Sequence, residues 1–416
     1  MGTSLEGIPR SGSRRLGGQA LDEHRAGNKS RCREGRSLPG KKREGSCFHP
    51  VFSHRRGKAQ KKPGDFEKGA GGYGLPYSSG PEGVLHLFAY PLIREYLAGS
   101  TASGLYEARL GREEFGGETH VFSPAYREDE FEELLSYADH LVFNSPSQLR
   151  KYGERARAAG KSVGLRVNPE CSTQEGHAIY DPCAPGSRLG TTAENFDESL
   201  LPLLDGLHFH TLCEQNSDAL EQTAAAFEEK FGKYLGNMKW LNLGGGHHIT
   251  RDDYDVERLE RIISHFRDTY GLTVYLEPGE AVVLNAGFLV STVLETVKNG
   301  IDIAILDTSA ACHMPDVLEM PYRPPVSDSG LPGEKAFTFR LAGPTCLAGD
   351  VIGDYSFDTP LEAGSQVVFE DMALYTMVKT NTFNGMALPS IVWRGLDKRE
   401  TLIKKFGYED FKGRLG

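Results

Sequence analysis

A chain of 416 residues, 39% of them hydrophobic and with a mean hydropathy of −0.41, is long enough for two domains and has the balance of a soluble globular protein. It contains no run of about 18 apolar residues, and its basic start lacks the apolar core of a secretory signal, which argues against a membrane span or an exported product. Seven cysteines without a CxxC pair argue against a disulfide framework or a zinc ribbon and suit a reducing cytoplasm.

The net charge of −10 hides a split. Residues 1–80 hold 17 Lys and Arg against 7 Asp and Glu, a net of +10, whereas the remainder holds 30 against 50, a net of −20. Residues 1–80 show no period of 2 or 3.6 and are rich in Gly, Arg, Ser and Lys, so residues 1–85 are expected to be disordered or foreign to the fold. A basic nucleic-acid-binding tail is the competing reading of that segment. The acidic remainder disfavours nucleic acid and suits a polycationic small molecule.

From about residue 86 to 286, short apolar runs alternate with amphipathic helical stretches. The expected strands are Ser100–Tyr106, Thr119–Ser123, His140–Ser145, Ser162–Pro169, Asp205–Thr211, Met238–Gly246 and Thr273–Gly279. The expected helices between them include Arg127–Tyr137, Ser145–Ala159, Asp218–Leu235 and Val256–Tyr270. Such alternation implies a parallel sheet covered by helices, an α/β fold, here a (β/α)8 TIM-like barrel with its first strand missing or replaced. Residues 287–416 read as a mostly β domain, with strands at Phe288–Lys298, Asp302–Thr308, Phe337–Ala342, Ser365–Phe369 and Ile391–Gly395.

Active sites of such barrels lie at the C-terminal ends of the strands. Met238–Gly246 ends in Gly244, Gly245 and Gly246, whose uncovered backbone N–H groups can face a phosphate; a plain tight turn is the alternative. The next run ends in Glu277-Pro278-Gly279-Glu280, and a carboxylate fixed there can pair with a protonated ring nitrogen. His208 and His210 fall on one face of their strand with Phe209 on the other. They could stack on a flat ring or, with His247 and His248, bind a metal; no metal is expected. The loop Gly343–Asp350 carries a thiol and a carboxylate, Cys346 and Asp350.

These pieces, in this order, resemble the fold-type III pyridoxal-phosphate decarboxylases, whose barrel is like that of alanine racemase. YDPCAPGSRLG (180–190), HFHTLCEQ (208–215) and EDMALYTMVKTNTFNG (370–385), with 115–124 and 241–247, are similar to the carboxynorspermidine decarboxylase branch. The resemblance implies pyridoxal 5'-phosphate as cofactor, and norspermidine or spermidine as the product made from a carboxylated polyamine. By the same resemblance His210 stacks on the cofactor ring, Gly244–Gly246 and Tyr375 hold its phosphate, Glu277 meets its nitrogen and Arg166 lies beneath it. Cys346 and Asp350 are implied to be catalytic and to reach the partner's site in a homodimer with shared active sites. Glu280, His313 and Asp316 are the candidates for substrate binding, Glu280 standing where some members carry arginine. A diaminopimelate-type decarboxylase, or a non-catalytic barrel that binds polyamine or cofactor, is the alternative.

One departure is plain. The family attaches its cofactor through a lysine on the first barrel strand, just before a stretch matched here by Tyr90–Tyr96. Upstream this chain reads PEGVLHLFA (81–89), and no Lys occurs between Lys68 and Lys151. The chain as written is therefore expected to turn over little or no substrate.

Overall fold

The computed structural model describes residues 51–55, 78–79, 87–174 and 178–416. Strand β1 (Val51–Arg55) belongs to the C-terminal sheet. The barrel sheet runs in strict sequence order through β2 (Ser78–Ser79), β3 (Gly99–Ala102), β4 (Glu118–Phe122), β5 (His140–Phe143), β6 (Ser162–Arg166), β7 (Gly206–His208), β8 (Trp240–Asn242) and β9 (Thr273–Tyr275), every neighbouring pair parallel. All seven expected strands are present, six of them shorter than their apolar runs, because the ladders stop where the C-terminal loops begin to diverge. Glu118–Phe122 equals its run in length but is shifted by one residue. The Leu105-Tyr106 end of the first expected run starts the helix Leu105–Leu110 instead.

The sheet is curled. In a flat sheet β4 and β9 would stand about 24 Å apart, five strand spacings. Yet the ring centroids of His120 on β4 and Tyr275 on β9 are 4.7 Å apart, and His140 on β5 reaches Tyr275 at 5.5 Å. Among the described residues β2 and β9 are the two edges of this sheet.

The helices cover the outside because their apolar residues recur at three- and four-residue spacing. Glu128–Tyr137 buries Phe131, Leu134 and Leu135, and Val256–Tyr270 buries Leu259, Ile262, Ile263 and Phe266. Pro146–Ala158 starts where the Ser145 hydroxyl accepts from the Gln148 amide, and Val256–Tyr270 where Asp255 accepts from Arg258. Ser217–Leu235 begins with Asn216 accepting from Ser217.

The second unit of structure is a mostly β sheet, ordered β13 (Val351–Phe357), β12 (Phe337–Ala342), β11 (Ile301–Leu306), β10 (Gly287–Asn299), β1, β15 (Ser390–Arg394) and β16 (Glu400–Lys404), with β14 (Gln366–Glu370) also paired to β10. It has its own core around Leu289, Tyr355 and Phe369. Leu374 and Trp393 from this half pack into the barrel core, and the Asn285 amide donates to Asp371 over 2.6 Å, so the two halves meet across a shared surface.

One expectation is corrected here. Residues 1–85 were read as lacking regular structure, but β1 pairs antiparallel with β10 and parallel with β15. A five-residue run is too short to show a period of its own; the two flanking strands impose its conformation. The first barrel strand is expected to be missing or replaced, and in its place only Ser78–Ser79 pairs with Gly99–Ser100 at the free edge of β3. Two serines between glycines and prolines carry no strand signal, and the unpaired edge of β3 supplies the ladder. The expectations for residues 1–50, 56–77 and 80–86 lie outside the described residues.

Candidate active site

The loops after β7, β8 and β9 meet at the C-terminal end of the sheet. Each of Gly244, Gly245 and Gly246 is required by space. A Cβ on Gly244 would lie 2.6 Å from the His210 Cβ, one on Gly245 2.5 Å from the Glu277 carbonyl oxygen, and one on Gly246 2.1 Å from the Leu212 carbonyl oxygen. Gly244 and Gly246 also hold positive φ, 73° and 78°. The glycine loop is thus clamped between the His210–Cys213 loop and the Glu277 loop, and the Glu277 amide donates to the Gly244 carbonyl over 2.8 Å.

Glu277 sits behind this loop. Its Oε1 accepts from Asn242 Nδ2 over 2.7 Å, and Asn242 Oδ1 accepts the Gly244 amide over 2.8 Å. Its Oε2 lies 3.3 Å from His208 Nε2, a charge contact without the alignment of a hydrogen bond. Burial alone would push the Glu277 carboxyl up, but His208, with His210 and His120 beyond it, outweighs that and holds it at about 2. His208 is itself pushed down by burial, so at neutral pH a carboxylate faces a neutral ring.

His210 comes from the same loop, and the Gly245 amide donates to its Nδ1 over 3.4 Å. Burial and then the Arg166 charge bring its imidazole down to about 3, so it is a neutral flat ring. Arg166, at the end of β6, donates from Nη2 to the His210 carbonyl over 3.1 Å and lies 4.5 Å over the Phe122 ring. Burial lowers it to about 10, and it remains cationic. His208, His210 and Glu277 also bring donor atoms within 4.8 Å of one another, a set that could bind a metal ion. His248 goes elsewhere: its Nε2 lies 2.5 Å from Glu280 Oε1.

The other expected residues divide. Asp350 is buried, its carboxylate accepting from Ser309 Oγ, Thr345 Oγ1 and the Ala311 amide. It shapes the 343–350 loop from inside, while Cys346 on that loop is exposed and its amide donates to Asn384 Oδ1 over 3.1 Å. Within this chain both Asp350 oxygens are engaged in holding that loop. His313 is fully buried; Nδ1 accepts the Ser309 amide over 3.1 Å and Nε2 faces the Ala387 carbonyl at 3.0 Å. Both ring nitrogens are engaged, which corrects its assignment to substrate binding. Asp316 pairs with Lys379 Nζ over 2.6 Å. Tyr375 begins the short helix Tyr375–Val378, just past the turn that Asp371 ties to Asn285.

Asn242 and Glu214 do not enter the sequence reading as site residues, and His248 enters it only as a possible metal ligand. Asn242 was legible as the lone polar residue inside an apolar strand, since a fully buried amide must find partners. His248 and Glu214 carried no spacing that pointed to Glu280. Among the described residues, no lysine touches Glu277, His208 or His210.

A family model described as pyridoxal-dependent decarboxylase, C-terminal sheet domain, matches residues 51–373. The chain is 44% identical over 334 residues to the carboxynorspermidine/carboxyspermidine decarboxylase of Campylobacter jejuni, covering 78% of this chain and 87% of that protein. It is also 44% identical over 329 residues to the carboxyaminopropylagmatine decarboxylase of Synechocystis, covering 79% and 85%. The crystal structure of carboxynorspermidine decarboxylase from Campylobacter jejuni complexed with norspermidine superposes with a TM-score of 0.81 at 40% identity, covering 88% of this chain and 99% of that one. Diaminopimelate decarboxylase from Helicobacter pylori shares the fold alone, with a TM-score of 0.72 at 16% identity.

Proposed function

The chain belongs to the pyridoxal-dependent decarboxylases, and from that premise we propose that it acts on a carboxylated linear polyamine, carboxynorspermidine or carboxyspermidine, releasing norspermidine or spermidine. The observation that carries this reading is the buried, negatively charged Glu277 set against a glycine cradle and a neutral histidine ring. An anionic carboxylate, a phosphate-sized cradle of backbone amides and a flat neutral ring are the noncovalent set that pyridoxal phosphate requires, so the residues present fit it.

Pyridoxal phosphate, when bound, supplies the electron sink that lets the substrate carboxylate leave as carbon dioxide. Glu277 would hold the proton of the ring nitrogen in place, its charge secured by Asn242 and His208. The Gly246 amide and the weakly held Gly245 amide, with Tyr375, would take the phosphate, while the Gly244 amide stays with Asn242. His210 would cover one face of the ring, fixed there by Gly245 and by Arg166 beneath. Cys346 would return a proton to carbon from a thiol that Asp350 positions; its exposure fits a homodimer in which this loop completes the partner's site.

Among the described residues no lysine touches Glu277 or His210, so the test begins by replacing residues 78–89 with a first strand that carries the family's lysine, leaving β1 and Tyr90–Tyr96 in place. That protein should release carbon dioxide and norspermidine from carboxynorspermidine far faster than from diaminopimelate. Equal or greater turnover of diaminopimelate would overturn the substrate reading.

A further inference from the structure

Next to the cofactor cradle stands a second group that the mechanism above does not use. Glu214, His248 and Glu280 each bring a donor atom within 4.8 Å of the others, with Glu280 Oε1 2.5 Å from His248 Nε2. We propose that Glu214, acting with Glu280, binds the distal positive charge of the substrate and so selects polyamines over monoamines, an inference that rests on the polyamine reading above.

The placement ties the group to the site. Glu214 follows Leu212 and Cys213, the backbone against which Gly246 packs, and Glu280 stands three residues beyond Glu277. Both carboxylates therefore hang from loops that already form the cradle. One imidazole can offer at most one positive charge to two carboxylates, and Asp371 adds a further negative charge near Glu214, opposed by Arg251. Glu214 is exposed at its surface, and desolvation, then the Glu280 charge, pushes its carboxyl up, the direction a facing carboxylate gives. His248 is buried, and among the described residues its Nδ1 has no hydrogen-bond partner. An ammonium or guanidinium entering between Glu214 and Glu280 would supply the missing charge and donate hydrogen bonds to both carboxylates.

Substrate chemistry agrees with this. The two relatives at 44% identity are named for carboxynorspermidine or carboxyspermidine and for carboxyaminopropylagmatine. The first two end in an ammonium and the last in a guanidinium, and a pair of carboxylates can take either. Glu280 in place of the arginine of some family members reverses the local charge in the same direction.

The test is binding, which the absent lysine does not prevent. The full chain, equilibrated with pyridoxal phosphate, is titrated with norspermidine and with propylamine by calorimetry. Wild type should prefer norspermidine. Glu214→Gln should weaken norspermidine about tenfold while leaving propylamine and pyridoxal phosphate unchanged, and Glu214→Asp should retain most of the affinity. If wild type shows no preference for norspermidine, the substrate reading falls and this inference with it. If wild type shows the preference and Glu214→Gln keeps it, this inference alone is wrong. Loss of pyridoxal phosphate binding in both variants would also overturn it, by showing that Glu214 is structural.

Discussion

One side chain, Asn242, links the two halves of the cofactor site: Nδ2 donates to Glu277 Oε1 and Oδ1 accepts the Gly244 amide. Replacing it with Leu, similar in shape, would leave a buried carboxylate oxygen and a buried amide unpaired. Each orphaned group costs roughly 1–3 kcal/mol. Asn242→Leu should therefore lower thermal stability and weaken pyridoxal phosphate binding at least tenfold. A variant with wild-type cofactor affinity would show that Asn242 does not hold Glu277.

Glu277→Gln isolates charge from shape. The fold should survive, because Gln can still meet Asn242. In the chain with a lysine-bearing first strand, turnover should fall on the order of 100-fold or more, the scale for losing a preorganised charge at a reacting centre. Cofactor absorbance measured alongside the rate would show whether binding persists.

Gly245→Ala tests the cradle. Its Cβ would lie 2.5 Å from the Glu277 carbonyl oxygen and 3.2 Å from His210 Cε1, so the loop must move away from both. Affinity for pyridoxal phosphate should drop by more than tenfold, whereas affinity for pyridoxal, which lacks the phosphate, should change less. Equal losses for the two ligands would place the phosphate elsewhere.

The barrel interior sets a pH dependence. His140 stacks on His120 at 4.0 Å, with Glu118 on the neighbouring strand and Asp205 just before β7 as the charges that bear on it. Burial, then His120, lowers its imidazole to about 3. The unfolded chain therefore takes up this proton first. The neutral ring's contribution is complete above about pH 6.5 and is lost as the pH falls, reaching about 2 kcal/mol at pH 5. His140→Gln should flatten the decline of Tm between pH 7 and pH 5 by several degrees. An unchanged slope would mean that His140 does not titrate in this way.

The sequence revealed the features that periodicity and strand ends encode. The helices were legible because a buried stripe recurs along each, and Gly244–Gly246 and Glu277 because reactive groups end successive apolar runs. What escaped depends on tertiary partners. β13 contains Gly353 and Asp354, which dilute its strand pattern; in the fold Asp354 pairs with Arg340 across the ladder at 2.8 Å. Asp350 and His313 look like free reactive groups in a linear reading and lose that freedom only when Ser309 meets both. Glu214 and Glu280 lie far apart in the chain, and only the loops after β7 and β9 bring them together.

This chain keeps the family's noncovalent cofactor groups, and among its described residues no lysine touches Glu277, His208 or His210. Borohydride reduction in the presence of pyridoxal phosphate, followed by peptide mapping, tests this most directly. The unmodified chain should carry no cofactor fixed at a single lysine, whereas the chain with a restored first strand should carry it on the introduced lysine. Stoichiometric attachment to one of the chain's own lysines would contradict the account.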